Sequence, residues 1–161
     1  MSAPTLAELT VDADVPVPDG LSEEDVAALS LHVLHEEGAD GSWTLGFRFV
    51  SDAEMQAMHR EFMGLDSPTD IMTFPLEGGD WAFGGEEAGD ARGGDIVISV
   101  DTAADQATDG GWGPSEELRF LVVHGLLHLL GWDDHDDADR AAMLDPQRAL
   151  LASWGAARAT D

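Results

Sequence analysis

His124 and His128 stand four residues apart in the run Phe120-Leu-Val-Val-His-Gly-Leu-Leu-His-Leu-Leu-Gly131. On a helix that spacing puts two imidazoles one above the other on a single face. Gly131 ends such a helix at little cost, because glycine takes the left-handed conformation readily. Asp133, Asp134 and His135 follow the turn directly and are three further potential ligands. Two imidazoles and a third donor around one open position form the ligand set of a catalytic zinc, not of a closed structural one. The competing interpretation is a pair of satisfied core histidines. With six histidines in the chain, one such pair is unremarkable by itself. The surrounding run is almost wholly apolar, however, and buried imidazoles there would lack nearby hydrogen-bond partners. The metal reading is the stronger one. The zinc-protease pattern His-Glu-x-x-His is excluded, since the position of its general base is held by Gly125.

Composition limits what else the chain can hold. Its 161 residues suit one domain, residues 1–161, with a real core, and 43% hydrophobic content is ordinary for a globular protein. Cysteine is absent, so any metal must be held by histidine and carboxylate. The N-terminus lacks a basic stretch followed by an apolar one, and no apolar run approaches the roughly twenty residues of a membrane span. A cytoplasmic location without membrane association is expected. There are 33 acidic residues against seven basic ones, and all seven are arginine. A net charge of −26 is strongly self-repelling in dilute buffer. In molar salt the Debye length falls to about 3 Å and the repulsion fades. Missing lysine and excess aspartate therefore read as adaptation to a salt-rich interior. The same charge opposes nucleic acid, which usually meets a basic surface. High salt weakens that objection, because counterion release then drives little binding. Recognition would fall to a metal, a few arginines, hydrogen bonds and stacking. Trp81, Trp112 and Trp132 are candidates to stack on bases, against the plainer role of packing anchors.

The elements that must position the histidines can be read in order. Leu6, Leu9 and Val11 mark a strand over residues 5–16, and Ser22 with Asp25 opens a helix running to about His35. Its His32 and His35 are read as surface or packing residues. Trp43–Val50 alternates as a strand, and Ser51 with Glu54 starts a second helix whose apolar face is Met55, Met58, Phe62 and Met63, read as core. Ile71–Phe74 and Asp95–Val100 are further strands. Glu77–Gly94, rich in glycine and acid, is a surface loop between them. Pro114 and Ser115, with Glu116 and Glu117 at the positive end, open the histidine helix. A last helix begins near Asp136 and reaches about Trp154, with Pro146 interrupting or kinking it.

The stretch His124-Gly-Leu-Leu-His-Leu-Leu-Gly-Trp-Asp-Asp134 resembles the signature of the YbeY family of metal-dependent endoribonucleases, His-Gly-x-Leu-His-Leu-x-Gly-x-Asp-His. Leu45-Gly-Phe-Arg-Phe-Val-Ser-Asp52, Asp66-Ser-Pro-Thr-Asp-Ile-Met-Thr-Phe-Pro75 and Gly94-Asp-Ile-Val-Ile-Ser99 are similar to other parts of the family pattern, in the same order. The resemblance spans roughly residues 43–155. It implies an α+β fold, a small mixed sheet packed against several helices with the metal-binding helix central. It also implies one bound zinc per chain and cleavage of single-stranded RNA in the maturation of small-subunit ribosomal RNA and in ribosome quality control. The partners would be single-stranded and ribosomal RNA and the ribosome, with no DNA. His124 and His128 match the first two ligands. The family's third histidine falls on Asp134, with His135 one place later, so Asp134 is taken as the third ligand and His135 stays as its rival. Asp66, Thr69 and Asp70 match the family's loop, and no catalytic residue is assigned. Met63 stands where the family commonly has arginine, and Arg60 lies nearly a turn earlier. Methionine cannot fork onto a phosphate as a guanidinium does. Two alternatives follow: a zinc-containing ribosome-assembly factor without catalysis, or a zinc hydrolase of peptides or small molecules.

Overall fold

The computed structural model describes residues 4–18, 21–39, 41–64, 69–75, 92–111, 113–130 and 146–154. Strands β1 (Thr5–Ala13), β2 (Ser42–Val50), β3 (Ile71–Pro75) and β4 (Arg92–Ser99) form one sheet in the order β1-β2-β4-β3. β1, β2 and β4 run parallel, and β3 joins the edge antiparallel to β4. With helices α1 (Glu23–Glu36), α2 (Asp52–Met63), α3 (Val100–Gly110), α4 (Pro114–Leu129) and a helical segment at residues 146–154, this is the expected α+β fold with a small mixed sheet.

Residue pattern accounts for the layers. Trp43, Leu45, Phe47 and Phe49 alternate along β2 and bury one face of the sheet, where Ile96 and Ile98 of β4 join them. Leu6 and Leu9 are three apart, an odd spacing for one strand face. An irregularity between Leu6 and Glu8 absorbs the extra residue and sets Leu9 opposite Leu45 and Val11 opposite Phe47. α1 and α4 cover this face: α1 packs on β1 and α4, and α4 packs on β3 and β4. α1 begins as read, with a reciprocal capping box: the Asp25 N–H donates to Ser22 Oγ at 3.1 Å and the Ser22 N–H to Asp25 Oδ2 at 3.2 Å. Only half of the second box forms. The Glu54 N–H donates to Ser51 Oγ at 3.2 Å, while the Glu54 carboxylate turns to Arg48 at 3.6 Å.

Four sequence expectations need correction. β1 stops at Ala13, β4 starts at Arg92 instead of Asp95, and Val100 opens a helix instead of closing a strand. The Gly93-Gly94 pair that reads as loop is extended strand at φ 133° and 155°, a conformation that favours glycine. Phe62 is not core: it is 57% exposed, its ring meeting that of Phe74 at 70° with 5.5 Å between centroids. Met55 is fully buried against Val50, Met72 and Val97 on the opposite sheet face, as expected of that helix. α3 is unanticipated. Its buried residues, Ala103 and Ala107, are too small to announce an apolar stripe.

The carboxyl end of β4 is tied to two helix starts. The Asp52 carboxylate accepts from the hydroxyls of Ser99 and Thr102, both at 2.5 Å, at the N-terminus of α3. Asp101 does the reverse, accepting from the Asp52 N–H at 2.9 Å at the N-terminus of α2. Each carboxylate thus sits where the partial positive charge of a helix favours it.

Candidate metal centre

α4 opens with Gly113 as N-cap and Pro114 in its first turn, where a missing N–H costs nothing. The Gly113 N–H donates to Glu116 Oε1 at 2.9 Å. From there the helix is buried on most of its circumference: Leu118, Leu121, Val122, Val123, Leu126 and Leu127 all lie in the core. Phe120, His124 and His128 are the partly exposed line along it, spaced four apart. The two imidazoles therefore sit within the apolar run without being core residues. The histidine side chains project from this partly exposed strip.

Gly125 shows why this helix lies so close to the sheet. A β-carbon there would stand 3.0 Å from Ile96 Cδ1 and Cγ2 and 3.1 Å from Ile71 Cδ1. Glycine at this point is a packing requirement as well as the absence of a protease base. Gly125→Leu is expected to lower stability by about 1–3 kcal/mol through overpacking, despite leucine's better helix propensity. Urea denaturation in molar KCl checks this; an unchanged midpoint would contradict the packing argument.

The imidazoles meet closely. His124 Nε2 and His128 Nε2 are 3.0 Å apart, and the rings stand edge to face with centroids 4.6 Å apart and planes at 77°. Two nitrogens at that distance share one proton or one cation, since two N–H groups facing each other would repel. Imidazoles on one tetrahedral zinc, bound at about 2.0–2.1 Å, stand roughly 3.3 Å apart. The pair is within a few tenths of an ångström of that, so its donor chemistry and spacing fit two positions of a zinc site. No group of three or more ligand-type side chains gathers among the described residues. Asp134, its rival His135, Gly131 and Asp66 lie outside them, as do Trp81, Trp112 and Trp132, much of the loop from Glu77, and the start of the last helix. Nothing is described of the Met63 side chain.

Of the loop residues, Thr69 and Asp70 are described. The Asp70 carbonyl accepts from the Ser99 N–H at 2.9 Å, and its carboxylate accepts from Gln106 Nε2 at 3.2 Å. That fastens the loop before β3 to β4 and α3. His32 is a packing residue, as read: its Nε2 lies 2.7 Å from Ser153 Oγ, and the Ser153 hydroxyl donates to the Leu150 carbonyl. His35 is exposed beside Glu36 at 3.6 Å.

Fold and site together define an α+β protein with a two-histidine centre on the exposed strip of its central helix. Comparison with known proteins gives the family. The model for Endoribonuclease YbeY matches residues 13–155. An Endoribonuclease YbeY of Moorella thermoacetica is 43% identical over 125 residues, 76% of this chain and 80% of that one. One from Chloroflexus aggregans is 36% identical over 152 residues, 94% and 97% of the two chains. The solution structure of TM1509 from Thermotoga maritima has the same fold, with a TM-score of 0.63 at 24% identity over 94% of this chain and 93% of that one. The chain belongs to the Endoribonuclease YbeY family, a family of hydrolytic nucleases. Among the described residues no helix is long and apolar enough to cross a membrane.

Proposed function

We propose that this chain is a single-strand-specific, zinc-dependent endoribonuclease acting in the maturation of small-subunit ribosomal RNA and in ribosome quality control. It works as one domain over residues 1–161 in a salt-rich cytoplasm, with ribosomal RNA and the ribosome as partners. The observation that carries the reading is the convergence of His124 and His128 at 3.0 Å within the family signature. His124, His128 and Asp134 hold one zinc ion. Bound there, zinc supplies Lewis acidity, toward a phosphate oxygen, a bound water or both. The chain's own contribution is to fix the two imidazoles on a rigid helix locked to the sheet through Gly125 and Ile96. A site held by packed elements keeps its ligands in place when substrate arrives.

Metal analysis of protein purified in molar KCl tests the third ligand. About one zinc per chain is expected for wild type and His135→Ala, with most of it lost in Asp134→Ala. The reverse pattern moves the ligand to His135, and no zinc in any form sinks the reading. Cleavage of single-stranded RNA is assayed alongside. Zinc without cleavage favours the assembly-factor alternative, for which Met63 at the usual arginine position is the motive. In that case Met63→Arg restores cleavage.

A further inference from the structure

The sheet face opposite α4 carries a cleft of about 730 Å³. Met58 and Phe62 of α2 and Phe74 of β3 make its apolar side, and Thr10, Gly46 and Asp95 lie across the strands beneath. Phe62 is the exposed large hydrophobic residue of the described structure, and it meets Phe74 edge to face. Met58 and Phe74 also pack on the buried Met55, Met72 and Val97 cluster, whereas Phe62 extends beyond it as an exposed aromatic that this packing does not account for.

Asp95 is the second anomaly. It sits in the middle of β4, one of the two inner strands, directly between Gly46 and Phe74 in the register. A β-carbon on Gly46 would collide with its carboxyl oxygen, so the glycine leaves the room that the Asp95 side chain takes. Among the described residues this carboxyl makes no hydrogen bond and no ion pair. Partial burial alone holds it above the ordinary carboxylate range. A half-buried acid without a partner destabilises the fold above its pKa, and the penalty disappears as pH falls below the unfolded value, about pH 4. Asp95→Asn is therefore expected to raise Tm at pH 7 and to lose that advantage in acid.

We infer that this cleft is a guanine-binding subsite, the base lying against Phe62 and Phe74 and donating N1–H and N2–H to the Asp95 carboxylate. The inference rests on the endoribonuclease reading for its ligand class. An ionised carboxylate only accepts hydrogen bonds. Guanine alone among the four bases presents two adjacent donors on its Watson–Crick edge. Adenine and cytosine set an acceptor beside the donor, and uracil flanks its one donor with acceptors. Single-stranded RNA is read in this way, by splayed bases stacked on aromatic side chains and bonded along their edges. A neutral base is also the part of RNA that a chain of net charge −26 repels least. A guanidinium offers a similar pair of donors and is the rival occupant. The chain's own Arg48, which also lines the cleft, bonds the exposed Asp14 at 2.8 and 3.1 Å, so among the described residues no guanidinium occupies Asp95.

The test titrates the four nucleosides into the full chain in molar KCl, followed by NMR shifts, with neither metal nor phosphate needed. Guanosine is expected to bind about tenfold or more tightly than the others. A side-chain amide differs in kind from a carboxylate: Asp95→Asn places a donor beside an acceptor, so preference shifts from guanosine toward adenosine or cytidine. A merely structural Asp95 would produce no such switch. Phe62→Ala, at an exposed position, weakens all four alike. His124→Ala keeps guanosine binding, which separates this subsite from the metal centre. Equal binding of the four nucleosides, no binding, or binding of an arginine peptide in place of guanosine overturns the inference. RNA cleavage that persists beside any of those results leaves the nuclease reading standing.

Discussion

Alanine at His124 or at His128 is expected to strip the chain of zinc and to lower cleavage of single-stranded RNA by about 100-fold or more. Losing a residue that merely orients a ligand already costs about 10–100-fold in metal affinity or activity, and losing the ligand itself costs at least that. The fold should survive. Both side chains lie on the partly exposed strip of α4, while the residues that hold the helix, Leu118, Leu121, Leu126 and Leu127, are untouched. Thermal unfolding separates the effects. In chelator, wild type and both variants should unfold at nearly the same temperature. With zinc at about 100 times its dissociation constant, wild type gains about 2.7 kcal/mol by mass action and the variants gain almost nothing. Variants that unfold early in chelator would make the histidines structural. Variants that still respond to zinc like wild type would place the ion elsewhere.

Legibility in the sequence follows the size and spacing of side chains. β2 is readable because Trp43, Leu45, Phe47 and Phe49 are large and alternate, and α1 because Ser22 and Asp25 close a box. α4 is readable twice over, by its apolar run and by the four-residue spacing of its histidines. α3 is not, because alanine buries without advertising a face. β4 begins three residues ahead of its apparent start because glycines that signal a loop are also the residues that let two backbones approach. Phe62 reads as core from its spacing with Met55 and Met58, yet the helix carries it past the edge of the packed layer. At the site, the two histidines are legible and their meeting at 3.0 Å follows from helical geometry. Asp95 reads only as part of a strand match. Its signal is nonetheless present in the sequence: an acid beside the apolar run Ile96-Val-Ile98 of a central strand has to have a reason.

Gly93 carries the largest expected loss of stability. Gly93→Ala should cost more than about 4 kcal/mol, a large share of the roughly 5–15 kcal/mol that holds a domain together. Gly93 pairs with Thr44 across β2 and β4, and a β-carbon there would run into the Thr44 carbonyl oxygen. Neither side can yield cheaply, since both atoms belong to backbone in the middle of the sheet. The φ of 133° adds strain for any residue with a side chain. Gly111→Ala is the control. It also has positive φ, at 76°, but nothing lies within 4 Å of the added carbon, so only the left-handed penalty of about 1–2 kcal/mol remains. Denaturant unfolding of both variants in molar KCl tells them apart. Near-equal losses would mean that φ alone matters and that β2 and β4 can part without unfolding the chain. The expected gap instead ties the sheet to the chemistry: β4 carries Ile96, on which Gly125 seats the histidine helix. A change at Gly93 should therefore abolish zinc binding without touching a ligand, whereas His124→Ala abolishes it in a chain that still folds.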